Sequence, residues 1–402
     1  MSWFAKITIE EAISAISLGL LLCQGVETPI LLSRLIKGAI RRSPLEPKQS
    51  YPKLLGKVSI IVPTLNEADR ISPCLEGLTR QSYEVREVII VDSNSQDGTQ
   101  ELVRATAAKD PRFRLITDDP LPSGWIGRPW ALHTGFLDSS AKSDWVLGMD
   151  ADTQPQPGLV ASLVSAAEAE GYDLVSLAPQ FILYYPGEWW LQPALLITLL
   201  YRFNSAGIDS QNADRVMANG QCFLCRRSVL ERLNGYSSAA SSFCDDVTLA
   251  RNIAAAGYKV GFFDGAKVLK VRMYEGTLET WREWGRSLDL KDAASLAQVW
   301  GDLLFLLCVQ GLPLPLFLIL FYLLELGYSS TTLLAALGLN LFLILIRLGM
   351  SVAIAPSYYR SSKFAPASLL FWFSPLADPL AVLRIFLSSL RKPTQWRGRE
   401  YQ

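Results

Sequence analysis

Hydrophobic positions along this chain fall into three regimes. The first runs from Ile13 to Ile36, apolar over more than the roughly 20 residues a bilayer-crossing helix needs, with Gln24, Glu27 and Pro29 as interruptions. From Val58 the texture changes to short β-branched runs alternating with longer stretches of helical period: Val58 to Val62, a polar helix near Asp69 to Gln81, Val88 to Val91, then a helix from Gln96 to Lys109. This alternation predicts an α/β domain, a mixed and mainly parallel sheet covered by helices on both faces. Trp145 to Met149 reads as a further strand. Trp189 to Tyr201 is strongly apolar yet too short to cross a bilayer. It reads as a helix lying in the membrane interface, as a hydrophobic wall for a lipid, or as an ordinary core helix. The third regime is the C-terminal third. Leu303 to Leu326 and Thr331 to Ala355 are two candidate spans joined by the uncharged Gly327 to Ser330, and Ala367 to Leu390 is a third apolar stretch.

Charge orients this pattern. Arg34, Lys37, Arg41, Arg42, Lys48 and Lys53 follow the first apolar run, and a basic flank of that density marks the cytoplasmic side. Glu10 and Glu11, offset only by Lys6, precede the run where a cleaved leader would carry positive charge, so an anchor is expected instead. Arg360 and Lys363 fall inside if Leu303 to Leu326 leaves the cytosol and Thr331 to Ala355 returns. The last stretch contains Pro375, Asp378 and Pro379 and is followed by Arg391, Lys392, Arg397 and Arg399. A crossing would strand those charges outside, so the expectation is a re-entrant or interfacial hairpin with a cytosolic C-terminus. The organisation expected is an anchor and basic linker over 1–50, a catalytic domain over 51–295, and a transmembrane or re-entrant region over 296–402, making an integral membrane protein whose catalytic domain faces the cytoplasm.

Composition narrows the partners. Among 402 residues, 38 basic and 38 acidic side chains balance, which leaves no footprint for nucleic acid. The hydrophobic fraction of 50% fits a globular domain tied to a bilayer, the excess lying at the two ends. Six cysteines show no framework spacing, and Cys222-Phe-Leu-Cys225 has no second ligand pair, so packing is expected over metal or redox chemistry. His133 is the single histidine, which excludes a site built on several and favours a packing role.

Chemistry gathers where the strands end, since ligands of such sheets bind beyond the carboxyl ends. Asp92 closes the second strand, and Met149-Asp150-Ala151-Asp152-Thr153 closes the later one. Side chains alternate in an extended segment, so Asp150 and Asp152 point the same way with Ala151 opposite. Such a pair either ends in a solvated turn or shares Mg2+ or Mn2+ with the phosphates of a substrate. Downstream, Asp245-Asp246 opens a predicted helix, where an aspartate also serves as a cap.

Val58 to Glu67 with its Pro63-Thr-Leu-Asn-Glu67 ending, Val91-Asp-Ser-Asn-Ser-Gln-Asp-Gly-Thr99, Met149 to Thr153 and Cys244-Asp-Asp-Val247, in this order, resemble family 2 glycosyltransferases of the GT-A fold over roughly Val58 to Leu290. The resemblance implies a nucleotide-sugar donor. It puts Pro63 and Glu67 in the first nucleotide-contacting loop, Asp92 on the base, and Asp150 and Asp152 on the sugar-nucleotide and a Mg2+ or Mn2+ ion. Asp246 becomes the general base, with Asp245 positioning it. Arg128, in Gly127-Arg-Pro-Trp130, stands where the family often has a cation near the donor. Arg272, Arg282 and Trp284 fall near the family's Gln/Arg-x-x-Arg-Trp segment, but Thr280 and Glu283 replace its first residue and its arginine, which counts against polymer synthesis. Arg272 or Arg282 could still pair the diphosphate. The arrangement of anchors resembles the ceramide, hopanoid-associated and carotenoid glycosyltransferases. That likeness implies inverting transfer of one sugar to a hydroxyl of a bilayer-dissolved lipid, with a carotenoid of the myxol type, at its 2'-hydroxyl, as first choice. Polyprenyl-phosphate transfer, processive synthesis and an inactive membrane scaffold are the alternatives.

Overall fold

A computed structural model describes residues 3–203, 205–210, 212–285, 288, 290–359, 365–390, 395–396 and 399–400. Its first strand, β1 (Val58–Thr64), is almost wholly buried and takes β2 (Val85–Asp92) on one side and β4 (Trp145–Met149) on the other, both parallel. β3 (Phe113–Thr117) continues beyond β2, and β8 (Cys222–Arg226) pairs antiparallel to β4. β6 (Leu174–Ala178) pairs antiparallel to β8, and β9 (Val260–Asp264) closes the far edge, giving the order β3-β2-β1-β4-β8-β6-β9. The sheet is mixed and mainly parallel, as the run of apolar residues predicts. Its strands are continuous hydrophobic runs because helices cover both faces. α2 (Ser72–Thr79) and α5 (Leu159–Glu170) contribute to the core on one face, α4 (Gly127–Asp138) and α8 (Asp245–Ala255) to that on the other. Cys222 and Cys225 lie in these two different cores, both free and buried, with burial pushing both thiols up. They pack, as expected. His133 does the same: it stacks on Trp125 and Trp130, and burial lowers its pKa.

A second, smaller sheet, β5 (Thr153–Pro155), β10 (Leu269–Val271), β7 (Gln180–Ile182) and β11 (Tyr358–Tyr359), joins the main body to the C-terminal region. α6 (Pro186–Arg202) follows β7 and is largely buried, so of the readings open for this segment the surface one is displaced. It is a core helix, one face of which walls a cavity.

Among the described residues three helices are long and apolar enough to cross a membrane: Ile9–Ala39, which forms most of α1 (Trp3–Ala39), Thr331–Ser357 and Pro366–Ser389. Ser14 meets Thr332 at 2.9 Å and Gln24 meets Asn340 at 3.0 Å, so contacts advance together along both chains and α1 runs parallel to the Thr331–Ile354 helix. Both later ends reach the body. Gly38 approaches Ser205, and Tyr358 pairs with Phe181 of β7.

The two other C-terminal expectations need correction. Leu303 to Leu326 is a bent pair rather than one straight helix, the form of a broken span or of a re-entrant loop. Leu296–Gly311 and Pro313–Glu325 meet at 49°, because Pro313 offers no N–H to the preceding turn and the chain loosens into a π stretch at Leu307–Gly311. The first arm stays on the body through Arg215 to Asp302 at 3.0 Å and Gln310 to the Ala194 carbonyl at 2.9 Å. Nor is the last stretch a hairpin. Pro366–Ser389 runs without reversal, yet both ends lie on the body. Phe371 packs on Trp189 with ring centroids 6.5 Å apart, while Arg384 donates to the Trp281 carbonyl at 2.6 Å and Lys291 to the Ser388 carbonyl at 2.7 Å. The helix therefore lies flat along α6, and Asp378 faces inward on Arg347 at 2.7 Å. Arg360, Lys363, Arg391, Lys392 and Arg397 fall outside the described residues, as does the side chain of Arg399.

Candidate active site

β4 ends at Met149, and the chain then turns with Ala151 tucked into the core below the sheet. Asp150 and Asp152 both line one cavity of about 1060 Å3, the shared direction that alternation demands. Thr153 holds the turn by donating its hydroxyl to the Asp150 carbonyl at 2.7 Å. Asp245 and Asp246 reach the same cavity from the first turn of α8, where the unpaired N–H groups and the helix dipole favour negative charge. The cap itself is Cys244 rather than either aspartate. Asp246 accepts from the Gly220 N–H at 2.6 Å and the Val247 N–H at 2.9 Å.

Arg128, in the first turn of α4, ties the acidic segments together. Its guanidinium reaches Asp150 Oδ1 at 2.8 Å, meets Asp245 Oδ2, and donates to the Gly220 carbonyl at 2.8 Å. Burial works against its charge, but Asp150, Asp245 and Asp246 outweigh that and hold its proton more firmly than usual. Burial also pushes the Asp245 carboxyl up to about 7, with Arg128 pulling the other way and Asp246 and Asp150 adding to the rise. Asp246 is raised too, first by burial. One guanidinium does not offset three carboxylates in a desolvated corner.

Glu67 and Asn66, from the loop after β1, also line the cavity, and Trp284 closes one wall with its ring tilted on Phe181 and Tyr274. Pro63, Asp92, Arg272 and Arg282 do not line it. Asp92 sits at the carboxyl end of β2 opposite Thr64, as expected, but its carboxylate accepts from Thr64, Ser95 and Gln100, at 3.0, 2.6 and 2.6 Å for the side-chain donors. Those bonds lock the Asp92–Asp97 turn onto the Thr64–Ala68 loop, where Asn66 and Ser95 also bond at 2.8 Å. Arg272 pairs instead with fully buried Glu188 at 3.0 Å and lies over the Tyr184 ring, 4.1 Å from its centroid. Glu188 also accepts from the Tyr184 and Gly276 N–H groups, so this arginine fastens the end of β10 to the start of α6. Arg282 is exposed.

Gly220 escaped the sequence reading. A Cβ there would stand 2.9 Å from Arg128 Cζ, so only glycine lets the guanidinium lie against the backbone. Nothing in the local pattern around Asn219-Gly220-Gln221 marks this, because the constraint comes from α4. Glu283, at the family's arginine position, lines the cavity with Asp69, Glu279 and Asp264, and acidic side chains far outnumber the lining arginines, Arg41, Arg70 and Arg128.

The fit to a divalent cation can be judged from the donor set. Asp150 and Asp152 offer hard oxygen ligands at one end of the cavity, and among the described residues no group of three or more His, Cys, Asp or Glu forms a protein-only cage. That suits Mg2+ or Mn2+, which keep positions for substrate phosphates and water.

Other walls of the same cavity are apolar. Leu196, Leu199 and Leu200 of α6, together with Met350, Ala353 and Ile354 near the end of the Thr331–Ile354 helix, line the same space, as do Leu35, Gly38 and Ala39 of α1.

The model of the family described as "Glycosyl transferase family 2" matches residues 59–233. The chain is 30% identical over 270 residues to a 4,4'-diaponeurosporenoate glycosyltransferase of Staphylococcus haemolyticus, covering 65% of this chain and 70% of that one. It is 36% identical over 132 residues to an undecaprenyl-phosphate 4-deoxy-4-formamido-L-arabinose transferase of Yersinia enterocolitica, covering 31% of this chain and 38% of the relative. A mannosyltransferase of Pyrobaculum calidifontis, solved in complex with GDP-Man and Mn2+, superposes with a TM-score of 0.49 at 19% identity over 94% of this chain and 99% of its own. The chain belongs to glycosyl transferase family 2. It is a glycosyltransferase and resembles carotenoid glycosyltransferases.

Proposed function

We propose that the protein moves one sugar, with inversion, from a nucleotide-diphosphate donor to a hydroxyl of a membrane lipid, an isoprenoid alcohol of the carotenoid type, such as myxol at its 2'-hydroxyl, being the first choice. One observation carries this reading: a single cavity runs from the Asp150, Asp152, Asp245 and Asp246 carboxylates to apolar walls formed by α6 and by the ends of two candidate spans. A water-soluble acceptor gives no reason for the second half. The residues 51–295 then form the catalytic unit, and the basic flank of α1 puts that unit on the cytoplasmic side.

In this reading Asp246 takes the proton of the acceptor hydroxyl as its oxygen bonds to the anomeric carbon and the bond from that carbon to the diphosphate breaks. The nucleoside diphosphate leaves with the electron pair of that bond. Asp245 positions the base. Arg128 holds Asp150 and Asp245 in register in the absence of substrate and gives the diphosphate a cationic neighbour. Glu67 and Asn66 contact the donor, and Trp284 packs beside its sugar. Asp92 acts by fixing the loops under the base, with Pro63 stiffening the strand end. Asp152 and Asp150 would hold Mg2+ or Mn2+, which would supply charge neutralisation for the leaving diphosphate.

A second reading has one finding behind it, the undecaprenyl-phosphate relative. A lipid phosphate arrives already ionised and needs no base. The Asp245 and Asp246 carboxyls, both raised by burial, suit an acceptor that must lose a proton, which a lipid phosphate need not. The deciding experiment supplies membranes containing the protein with a panel of labelled sugar nucleotides and native lipid extract, and identifies the labelled lipid by mass spectrometry. A glycosylated lipid alcohol is expected. Label only in lipid phosphates would overturn the alcohol reading, and long polymer would overturn single transfer.

A further inference from the structure

The cavity is larger than one small ligand needs. Pockets of about 300–1,000 Å3 enclose most drug-sized molecules, and this one, at about 1060 Å3, continues past the acidic end to the two parallel helices. Leu35, Gly38 and Ala39 line it from the last turns of α1, and Met350, Ala353 and Ile354 line it from the last turns of the neighbouring candidate span. These turns lie where each helix meets the body, the level at which a lipid headgroup would sit. A Cβ added at Gly38 would meet Ser205 Oγ at 3.5 Å, an ordinary van der Waals contact and the one contact within 4 Å, so α1 and the body leave room for a methyl there. Ala39 and Ala353 are exposed and small. Arg41 stands at the same level, opposite Asp264 at 3.7 Å, and is the one cation at this end of the lining.

We infer that the lipid acceptor reaches the carboxylates sideways from the bilayer, through a portal between the Leu35–Ala39 turns of α1 and the Met350–Ile354 turns of its parallel neighbour. Gly38, Ala39 and Ala353 set how wide a chain passes. This rests on the reading of the cavity as the glycosyl-transfer site and adds the route and the residues that select acceptors by width. The donor, charged and water-soluble, comes in at the opposite, acidic end. The portal leaves a long acceptor's tail in the bilayer while its hydroxyl lies near Asp246, so the body need not extract the lipid.

The test uses the full chain in phospholipid vesicles with a long-chain alcohol carrying a diazirine along its tail. After irradiation, peptide mass spectrometry is expected to find adducts within residues 35–39 and 350–357. Ala353→Trp and, independently, Ala39→Trp should reduce these adducts about ten-fold or more, the scale of a steric misfit in an apolar site. Neither residue is packed in the core, and a retained melting transition checks that each variant folds. Adducts spread evenly over the lipid-facing helices, or undiminished in both variants, would overturn the portal. Sugar transfer is followed in the same vesicles. Mapped adducts with no transfer from any sugar nucleotide would leave the portal standing and sink the transferase reading, whereas transfer to long-chain and short soluble alcohols that falls equally in both variants would sink the portal alone.

Discussion

Arg128 is where the separate acidic motifs become one site, and residue-scale tests centre on it. Asp246→Asn keeps the shape and removes the base, so transfer to a hydroxyl should fall about 100- to 10,000-fold. Binding of the nucleoside diphosphate, followed by equilibrium dialysis, should change little. Full retained activity would point to an acceptor that is already ionised. Gly220→Ala places a methyl against Arg128 Cζ, and the guanidinium must give way because the carbonyl and the two carboxylates fix it on its other sides. Its expected cost is about 1–3 kcal/mol of stability, with a fall in kcat that Arg128→Lys, lacking the planar fork, should share. Titration follows from the same crowding. Burial raises both Asp245 and Asp246, the former to about 7, so as pH falls the proton-accepting form of Asp246 is lost before an ordinary carboxylate would take up its proton. The acid limb of kcat/KM should thus lie well above the range of about 4 usual for carboxylates. In Arg128→Met the limb should move further toward alkali, because the strongest influence pulling both carboxyls down is gone while the Gly220 and Val247 N–H bonds to Asp246 remain. A limb at ordinary carboxylate pH in both proteins would show that neither acid titrates in catalysis.

At the scale of elements, what could be read in the chain and what could not divide along the reach of each interaction. β1, β2 and β4 were readable because a strand buried on both faces must be an unbroken apolar run, and Trp145–Met149 matches to the residue. The Asp150–Asp152 turn was readable for the same local reason. Arg272 and Arg282 were not: the carboxylate that claims Arg272 is Glu188, 84 positions earlier, and no periodicity announces such a pair. The break at Pro313 was visible as a proline but not as a 49° bend, since prolines at the start of a helix are also harmless. The last stretch gave the most misleading signal, since the basic residues that follow it argued for a hairpin, and nothing in the sequence showed what Asp378 within it would meet. Its partner Arg347, at 2.7 Å, lies on a different helix, and Gln310 and Ser374 complete the cluster. Removing one partner strands the other charge, so Asp378→Leu or Arg347→Met alone should destabilise by about 3–5 kcal/mol, while the two combined should recover most of the loss. Thermal unfolding of the four proteins of this cycle in detergent measures it. Additive losses would mean the pair does not hold the flat helix to its neighbour.

For the whole molecule, the flat course of Pro366–Ser389 decides on which side the chain ends. α1 and the Thr331–Ile354 helix run parallel with their later ends at the body, so the Gly327–Ser330 turn, which precedes the second of them, lies at the far end. The helix after them presents Leu369, Trp372, Phe373, Leu376, Leu380 and Leu383 on its exposed side, and Phe371, Ala377, Asp378, Ala381 and Ile385 on its buried side. The exposed side is apolar, as a lipid-facing side would be, and the contacts of both ends with the body are what argue for a course along the interface. Leu390 should therefore share a side with the catalytic body, and Ser329 should not. Single cysteines at Leu390, Lys142 and Ser329 in a Cys23→Ala background test this, because the other five native cysteines are buried. A membrane-impermeant maleimide should label Leu390→Cys and Lys142→Cys from the same face of sealed vesicles and Ser329→Cys from the other. If Leu390→Cys labels with Ser329→Cys, the helix crosses and its contacts with Trp281 and Lys291 do not hold in the bilayer.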